Sequence, residues 1–400
     1  MSTVAVIGAG TMGSGIAQIA AVAGWTVELR DTNVGFVRAQ LKRTRDQLDK
    51  LVAKNRMSAE ARDAAMDRLH LSEDLDDLAG CDLVIEAIVE NLDTKLAALR
   101  PIVAAAKPDA IFASNTSSLS INKIGAGLGI ADRTVGMHFF NPVPLMPLVE
   151  VIAGDASNPT CVTRVAEIAR SWGKTVVRAK DTPGFIVNRV ARGYYLESLR
   201  MLGEGIAGID EIDRTLKTLG GFRMGPFELM DLIGIDVNYN VSLSVWEQLG
   251  KPLRLTPHEI QKSLFEKGHI GRKAGRGFYG YQGEPPLPAV MVDRRSFELP
   301  PKLYEAMRRF ASAATTTDGS QTEQYVLSRV LATIINEAAL LCDEGAATAE
   351  DIDVAMKLGT NYPSGPLEWA ERIGRHTTRA MLDALNAVAG DGRFAAAGWL

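Results

Sequence analysis

The segment Val4–Gly13 (VAVIGAGTMG) decides the fold class of the first part of this 400-residue sequence. Its four leading apolar residues predict a buried strand, and the pattern Gly-x-Gly-x-x-Gly then opens a helical pattern that stops at Gly24. In such a strand–turn–helix unit the glycines let backbone N–H groups approach a pyrophosphate, and the helix N-terminus adds a partial positive charge. The segment therefore predicts a Rossmann-type domain whose dinucleotide contacts Gly8, Gly10, Thr11, Met12 and Gly13.

Short apolar runs alternate with longer helical patterns through residues 1–183. The runs predicted to be strands are 3–7, 26–30, 82–88, 110–114, 134–139 and 148–152. This alternation is typical of a mostly parallel, doubly wound sheet with helices on both faces. Residues 34–69 are polar and helical in pattern, and we expect them to form a helical hairpin that projects from the sheet.

Asp31 closes the second predicted strand, 18 residues beyond Gly13. A carboxylate at this place accepts hydrogen bonds from the ribose hydroxyls of the dinucleotide and repels a 2′-phosphate, so NAD is favoured over NADP. The alternative is a glycine-rich turn in a doubly wound sheet that binds nothing. The strand and helix around the turn, together with Asp31, favour the NAD site.

An internal repeat organises the rest of the chain. Residues 185–234 align without a gap to 325–374 at an offset of 140, and 14 of the 50 pairs are identical. We therefore predict an α/β domain followed by two tandem all-α domains. The predicted boundaries are 1–183 for the dinucleotide domain, 184–282 for the first helical copy, 283–322 for a linker containing a short helix, and 323–400 for the second copy.

His138 stands at the end of an apolar strand, before the Pro-rich loop that follows Asn141. Glu150 lies twelve residues further on, in the next apolar run. If the two runs pair as antiparallel neighbours, the imidazole and the carboxylate come within reach of each other. A carboxylate that fixes the tautomer of an imidazole makes that imidazole a good general base near neutral pH. Taken alone, a single histidine at a strand end is more often structural than catalytic.

Taken together, the motifs resemble the 3-hydroxyacyl-CoA dehydrogenase family over nearly the whole chain. The segments that carry the resemblance are Gly8–Gly13, Ile85–Asn91, Ala113–Leu119, His138–Pro142, Asp181–Arg189 and Gly271–Tyr279. The resemblance implies an oxidoreductase that interconverts a (3S)-3-hydroxyacyl-CoA and the 3-oxoacyl-CoA by hydride transfer to or from NAD.

The resemblance also implies roles for single residues. His138 would be the general base, oriented by Glu150, while Ser117 and Asn188 would bind the substrate near its reacting oxygen. Residues expected at the coenzyme, besides the glycine-rich turn, are Asp31, Glu90, Lys95, Asn115, Asn141 and Lys273. Lys54 would meet the CoA moiety. Without the resemblance, Ser117 could simply cap a helix, and Asn188, Glu90, Lys95 and Lys54 could be ordinary surface residues.

Two positions depart from the family pattern. Gln47 replaces a serine that accompanies the CoA-binding lysine in some members, which puts the details of CoA contact in doubt. Ser328 stands where the second copy would repeat Asn188, and no second histidine segment or glycine-rich coenzyme loop accompanies it. The second copy is therefore predicted to be non-catalytic. Because single-copy members are expected to dimerise through their helical domains, we expect the two copies to pack as an internal pseudo-dimer.

Composition narrows the partners further. The net charge of −4 is unlike that of a nucleic-acid binder. The three cysteines lack metal spacing, no metal site is expected, and no apolar run looks long enough to span a membrane. We expect a cytoplasmic enzyme that binds an acyl-CoA and neither nucleic acid nor membrane. It would be a monomer with an internal pseudo-dimer, or a homodimer.

Two alternatives remain open from the sequence. One is an NAD-dependent dehydrogenase of a free hydroxy acid or sugar acid with a similar architecture. The other is a structural relative that has lost activity, although the presence of Ser117, His138, Glu150 and Asn188 together speaks against loss.

Overall fold

A computed structural model describes residues 2–400 and divides them into two compact units, residues 2–185 and Ile186–Leu400. The first unit contains the predicted sheet. Its strands are β1 Thr3–Ile7, β2 Thr26–Arg30, β3 Leu69–Leu71, β4 Leu83–Glu86, β5 Ile111–Ser114, β6 Thr134–Phe139, β7 Leu148–Ala153 and β8 Thr175–Lys180. Their order is β3-β2-β1-β4-β5-β6-β7-β8, and β6–β7 is antiparallel while the other neighbours are parallel.

The six strands predicted from the sequence are present, and the edge strands β3 and β8 are additional. The alternation of β1 explains why helices are needed on both faces of the sheet. Val4 and Val6 are buried in one apolar cluster, whereas Ala5 and Ile7 are buried in another. The covering helices are α1 Thr11–Val22, α2 Val34–Ala53, α3 Ala59–Met66, α4 Leu92–Ala105, α5 Ile121–Leu128 and α6 Pro159–Ser171.

The helical hairpin predicted for residues 34–69 consists of α2 and α3. It does not simply project from the sheet, because Val37, Leu48 and Ala65 are buried in the same apolar cluster as α1. The base of the hairpin is thus part of the core, while Lys54 at its tip is exposed.

The second unit is helical. Its elements are α7 Val187–Val190, α8 Arg192–Gly203, α9 Ile209–Thr218, α10 Pro226–Ile233, α11 Ile235–Gln248, α12 Glu259–Glu266, the short hairpin β9 Tyr279–Gly280 and β10 Leu287–Pro288, α13 Pro301–Ala314, α14 Gln321–Asp343, α15 Ala349–Thr360, α16 Pro366–Ile373 and α17 Arg375–Ala389. The repeat is visible in this order, because α14 to α17 follow the pattern of α7 to α11 at the offset of 140.

The two copies contact each other mainly through α8 and α14. Gly193 permits the close approach, since a Cβ there would lie 3.1 Å from the backbone nitrogen of Ile334. Ion pairs of two buried arginines cross the contact in both directions. They are Arg189 Nε to Glu337 at 2.8 Å, Arg189 Nη1 to Glu344 at 2.5 Å, Arg329 Nε to Glu197 at 2.7 Å and Arg329 Nη1 to Glu204 at 2.6 Å. The contact between copies that the sequence predicts is therefore observed.

Two features differ from the sequence-based expectations. The segment 283–322 is more than a linker, because α13 buries Leu303, Met307 and Phe310. The expectation that no apolar run is long enough to span a membrane is wrong. The helix α14 has the length and the apolar composition that a membrane span requires. However, 83% of its apolar window is buried inside the structure. α14 is the central helix of the helical unit.

Candidate active site

The glycine-rich turn after β1 is built so that only glycine fits at its ends. Gly8 has a φ of +101°, and a Cβ on Gly13 would lie 1.8 Å from the carbonyl oxygen of Gly8. A Cβ on Gly10, in contrast, would meet no atom within 4 Å. The backbone at Gly10 is therefore open to a ligand, at the N-terminus of α1, as a bound pyrophosphate requires.

A cavity of about 740 Å³ adjoins this turn. It lies at the carboxyl ends of β1, β2 and β4, where the strand order reverses between β1 and β4. This crevice is where doubly wound sheets bind their ligands. Its lining includes Gly8, Gly10, Arg30, Asp31 and Ile88. The volume and the lining fit a dinucleotide.

Asp31 occupies the predicted place at the end of β2. Its Oδ2 accepts a hydrogen bond from Ala9 N at 2.8 Å, and its Oδ1 accepts one from Asn33 N at 3.2 Å. These bonds hold the carboxylate beside the glycine-rich turn. Arg30 also lines the cavity, but its Nη1 donates to the Glu73 carbonyl oxygen at 2.6 Å.

Glu90 fastens the loop that follows β5. Its Oε1 accepts hydrogen bonds from Thr116 Oγ1 at 2.5 Å and from Ser117 N and Ser118 N at 3.0 Å each. Burial raises the pKa of the Glu90 carboxyl, but the positive charge of Lys95 and the donated hydrogen bonds outweigh it and leave the pKa lowered. Glu90 therefore remains ionised and holds the backbone of Ser117 in place.

Lys95 is only 1% exposed, which the sequence did not suggest for a lysine near a helix start. Its Nζ bonds Glu86 Oε1 at 2.6 Å and lies 3.2 Å from Glu90 Oε2. Glu86 is also buried and accepts from Ser114 Oγ at 2.5 Å. Sequence reasoning missed Glu86 as part of the site. The available signal was an acidic residue closing the otherwise apolar strand β4.

His138 and Glu150 are direct partners in the antiparallel register of β6 and β7. His138 Nδ1 lies 2.6 Å from Glu150 Oε2, and Glu150 is fully buried. An ionised Glu150 can only accept, so Nδ1 carries the proton of this bond and Nε2 is the nitrogen that can exchange one. The rings of Phe140 and Phe185, with centroids 4.6 Å and 5.9 Å from that of His138, shield the pair.

Other predicted residues surround the same edge of the sheet. Asn115 follows β5, and its Oδ1 accepts a hydrogen bond from Phe139 N at 2.9 Å, which ties the ends of β5 and β6 together. Asn141 is exposed directly beyond β6. The first unit therefore gathers the predicted coenzyme turn, Asp31, the Ser117 loop, His138 and Asn141 at the carboxyl edge of its sheet.

Of the remaining predicted residues, Lys54 belongs to the first unit, whereas Asn188 and Lys273 belong to the second. Asn188 is half-buried in α7, and Ser328, its counterpart in the repeat, is fully buried in α14. Lys273 lies in a 3₁₀ turn, Arg272–Ala274, where its Nζ is 2.8 Å from the carboxylate of Asp236. Lys54 is exposed at the end of α2.

The structure of residues 2–400 also bears on two other kinds of site, a metal site and a nucleophilic thiol at Cys81. No group of three or more His, Cys, Asp or Glu side chains there could hold a metal ion. Cys81 is buried, and burial raises the pKa of its thiol to about 12. A thiol of this kind is not a nucleophile at neutral pH.

The geometry agrees with two family models. The NAD-binding domain of 3-hydroxyacyl-CoA dehydrogenase matches residues 3–182. The C-terminal domain of the same enzyme matches twice, over 184–281 and 325–400.

Individual relatives agree as well. A 3-hydroxyadipyl-CoA dehydrogenase from Escherichia coli is 35% identical, over 98% of this chain and 95% of its own length. A 3-hydroxybutyryl-CoA dehydrogenase from Bradyrhizobium diazoefficiens is 39% identical over 71% of this chain and 97% of its own. The crystal structure of an Escherichia coli 3-hydroxybutyryl-CoA dehydrogenase has a TM-score of 0.88 and 34% identity, covering 99% of this chain and 97% of its own. The chain belongs to the 3-hydroxyacyl-CoA dehydrogenase family, the NAD-dependent oxidoreductases that interconvert 3-hydroxyacyl-CoA and 3-oxoacyl-CoA.

Proposed function

We propose that this enzyme oxidises (3S)-3-hydroxyacyl-CoA with His138 as its general base and Glu150 as the residue that orients it. The observation that carries the proposal is the 2.6 Å contact between His138 Nδ1 and Glu150 Oε2, with the carboxylate fully buried. When bound, NAD supplies the acceptor for the hydride that leaves C3 of the substrate.

The proton moves through His138. As the carbonyl forms at C3, the 3-hydroxyl gives its proton to Nε2, and the imidazole becomes an imidazolium. Glu150 stabilises that cation through Nδ1–H and keeps the ring in the tautomer whose Nε2 can accept. In the reverse direction the same Nε2 donates a proton to the oxygen formed at C3.

Ser117 and Asn188 are proposed to hold the substrate near its reacting oxygen. Support for Ser117 comes from its backbone, which Glu90 fixes through a 3.0 Å hydrogen bond at the sheet edge where His138 stands. Support for Asn188 comes from the repeat, because the copy that lacks the catalytic segments has Ser328 instead. Lys54 and Lys273 remain proposed contacts to CoA and coenzyme.

The test compares substrates and variants. Purified protein should form NADH from (3S)-3-hydroxybutyryl-CoA, and much more slowly from free 3-hydroxybutyrate. General acid–base catalysis contributes about 10²- to 10⁴-fold, so His138→Ala should lower kcat by at least about 10²-fold while NADH still binds. His70→Ala, at an exposed position in β3, is the matched control and should keep wild-type kcat. Near-full kcat in His138→Ala would refute the proposal, and a preference for the free acid would favour the hydroxy-acid alternative.

A further inference from the structure

Besides Arg189, a second buried arginine, Arg192, lies close to Asn188. Arg192 opens α8 and is 3% exposed. Its Nε donates to the Asn188 carbonyl oxygen at 2.9 Å, and its Nη1 donates to the Asn238 carbonyl oxygen at 3.1 Å and to Ser242 Oγ at 2.7 Å. Its guanidinium lies over the ring of Tyr195, 5.0 Å from the centroid. The side chain is thus held rigidly by neutral groups.

The charge of Arg192 is not balanced within residues 2–400. Arg189 and Arg329 are buried to a similar degree, and each pairs with two carboxylates. Arg192 pairs with none, and burial lowers its pKa. An isolated buried charge is costly, and such charges are normally paired. The missing counter-ion is therefore expected to arrive with a ligand.

The repeat provides an internal control for this arrangement. At an offset of 140, Ala332, Ile335, Thr378 and Leu382 stand for Arg192, Tyr195, Asn238 and Ser242. The second copy therefore lacks the arginine, the aromatic ring beneath it and the hydroxyl that accepts its hydrogen bond. The second copy nevertheless folds into the same helices. The helical scaffold consequently does not need the arginine. The ion-pairing residues Arg189, Glu197 and Glu204, in contrast, are kept in both copies, as a structural role requires.

The position of Arg192 suits the end of a short acyl chain. It follows Asn188 by four residues, which corresponds to about 6 Å of helical rise, and its Nε bonds the Asn188 carbonyl oxygen at 2.9 Å. In a six-carbon dicarboxylyl thioester the distal carboxyl carbon is three bonds beyond C3, roughly 4 Å away at about 1.5 Å a bond. A guanidinium anchored through Nε and Nη1 still has Nη2 to offer a carboxylate, and such charge-assisted bonds are strong.

We propose that Arg192 binds a carboxylate at the distal end of the acyl chain, so that this enzyme prefers 3-hydroxy-dicarboxylyl-CoA thioesters. Ser242 is a positioning residue, because its Oγ and the backbone carbonyl of Asn238 together aim the guanidinium. The inference rests on the proposed function, since it places the acyl chain beside Asn188.

The test uses two substrates of equal length that differ in charge, (3S)-3-hydroxyadipyl-CoA and (3S)-3-hydroxyhexanoyl-CoA. Because a hydrogen bond to a charged group is worth about tenfold or more in binding, wild-type kcat/KM should favour the adipyl substrate at least about tenfold. A wild-type ratio at or below one overturns the inference without any variant. Failure of the wild type on both thioesters and on 3-hydroxybutyryl-CoA would instead overturn the proposed function.

The variant Arg192→Ala/Asn238→Thr/Ser242→Leu introduces the residues found at the corresponding positions of the second copy. Because those residues pack within the same helices there, the variant is expected to fold. The adipyl-to-hexanoyl ratio should fall at least about tenfold in this triple variant. Arg192→Lys, which keeps the charge, should give an intermediate ratio, and exposed Arg308→Ala should keep the wild-type ratio. A wild-type ratio in the triple variant, or equal losses on both substrates, contradicts the role of Arg192.

Discussion

Glu150 is fully buried and bonds His138 Nδ1 at 2.6 Å, so its charge acts on the imidazole with little screening by water. Glu150→Gln keeps the size of the side chain but removes the charge that stabilises an imidazolium. We expect kcat for 3-hydroxybutyryl-CoA to fall about 10²-fold, less than in His138→Ala, because the base is misoriented and not removed. Stopped-flow single-turnover rates measure the effect. Exposed Glu60→Gln is the control, and an unchanged chemical step in Glu150→Gln would contradict the orienting role.

Asp31 is expected to set the preference for NAD. Its carboxylate is held beside the glycine-rich turn by Ala9 N, and Arg30 lines the same cavity. Asp31→Ala removes the ribose acceptor and the repulsion of a 2′-phosphate, while it leaves the arginine. NADH binding should weaken about tenfold, as the loss of one charged hydrogen-bonding group predicts, and the gap to NADPH should narrow. Fluorescence titration with both coenzymes measures this, with Asp46→Ala as an exposed control. A wild type that binds NADPH as tightly as NADH would show the interpretation of Asp31 to be wrong.

Some of these residues could be predicted from the sequence for a physical reason. The strand register that pairs His138 with Glu150 follows from two apolar runs joined by a loop, because antiparallel neighbours bring matched positions together. The buried chain of Glu86, Lys95 and Glu90 could not be predicted in this way. A lysine in a helix normally reaches solvent, and only the tertiary structure shows that Lys95 turns inward to two carboxylates.

The pairing of α8 with α14 depends on buried carboxylates such as Glu197. Burial raises the pKa of Glu197, but Arg200 and Arg329 outweigh it and lower the pKa to about 2. The folded-state pKa therefore lies below the value of the unfolded chain, near 4.5. The stabilisation is complete above about pH 4.5 and is lost as the pH falls towards about 2.

Glu197→Gln should accordingly lower the free energy of unfolding at pH 7 by about 3 kcal/mol, because Arg200 loses this carboxylate and the buried Arg329 keeps only that of Glu204. The difference from wild type should shrink as the pH falls from 4.5 towards 2. Urea unfolding at pH 7 and pH 3 measures both values. Glu284→Gln, at an exposed position outside the helices and strands, should be neutral at each pH. An equal destabilisation at the two pH values would mean that Glu197 acts through packing and not through charge.

At the scale of elements, a strong apolar pattern along the sequence is enough to predict a strand, whereas a weak pattern is not. The six strands with continuous apolar runs were predicted, whereas β8 carries Arg178 and Lys180 and β3 has only three residues. Both lie at edges of the sheet, where one side of the strand is unpaired and polar residues are tolerated. The segment containing α13 has the spacing of Leu303, Met307 and Phe310 typical of an amphipathic helix. The prolines before α13 predict a linker. The apolar face of the helix explains why α13 is packed in the structure and not exposed.

At the scale of the molecule, the duplication is expected to replace a contact between two chains by a contact within one chain. The Bradyrhizobium diazoefficiens relative matches 71% of this chain with 97% of its own length, so it is shorter than this chain. In this chain Arg189 reaches Glu337 and Glu344, which are the counterparts of Glu197 and Glu204. If this chain ended before the second copy, it would still contain Glu197 and Glu204 in its first copy.

A chain that ends at residue 282 should therefore dimerise. This truncation removes α13 together with the second copy. The helix α13 packs against α14 and α17, and it would have no packing partner if it were kept without them. The truncated chain exposes the apolar face of α8 and leaves the buried Arg189 without its carboxylates. A two-fold contact joins identical patches, so Arg189 of each chain can meet Glu197 and Glu204 of the other and rebuild both sets of ion pairs. The full chain satisfies these groups internally and is expected to be a monomer.

Light scattering coupled to size-exclusion chromatography separates these states. The expected result is a monomer for residues 1–400 and a dimer for residues 1–282. Arg189→Glu in the truncated chain places like charges across the two-fold contact and should produce monomers or aggregates, whereas exposed Arg214→Glu should leave the dimer intact. A truncated chain that stays a stable, soluble monomer would contradict this account, because α8 would then need no partner. Dimerisation of the full chain would point to a different surface, since the α8 face is already covered by α14.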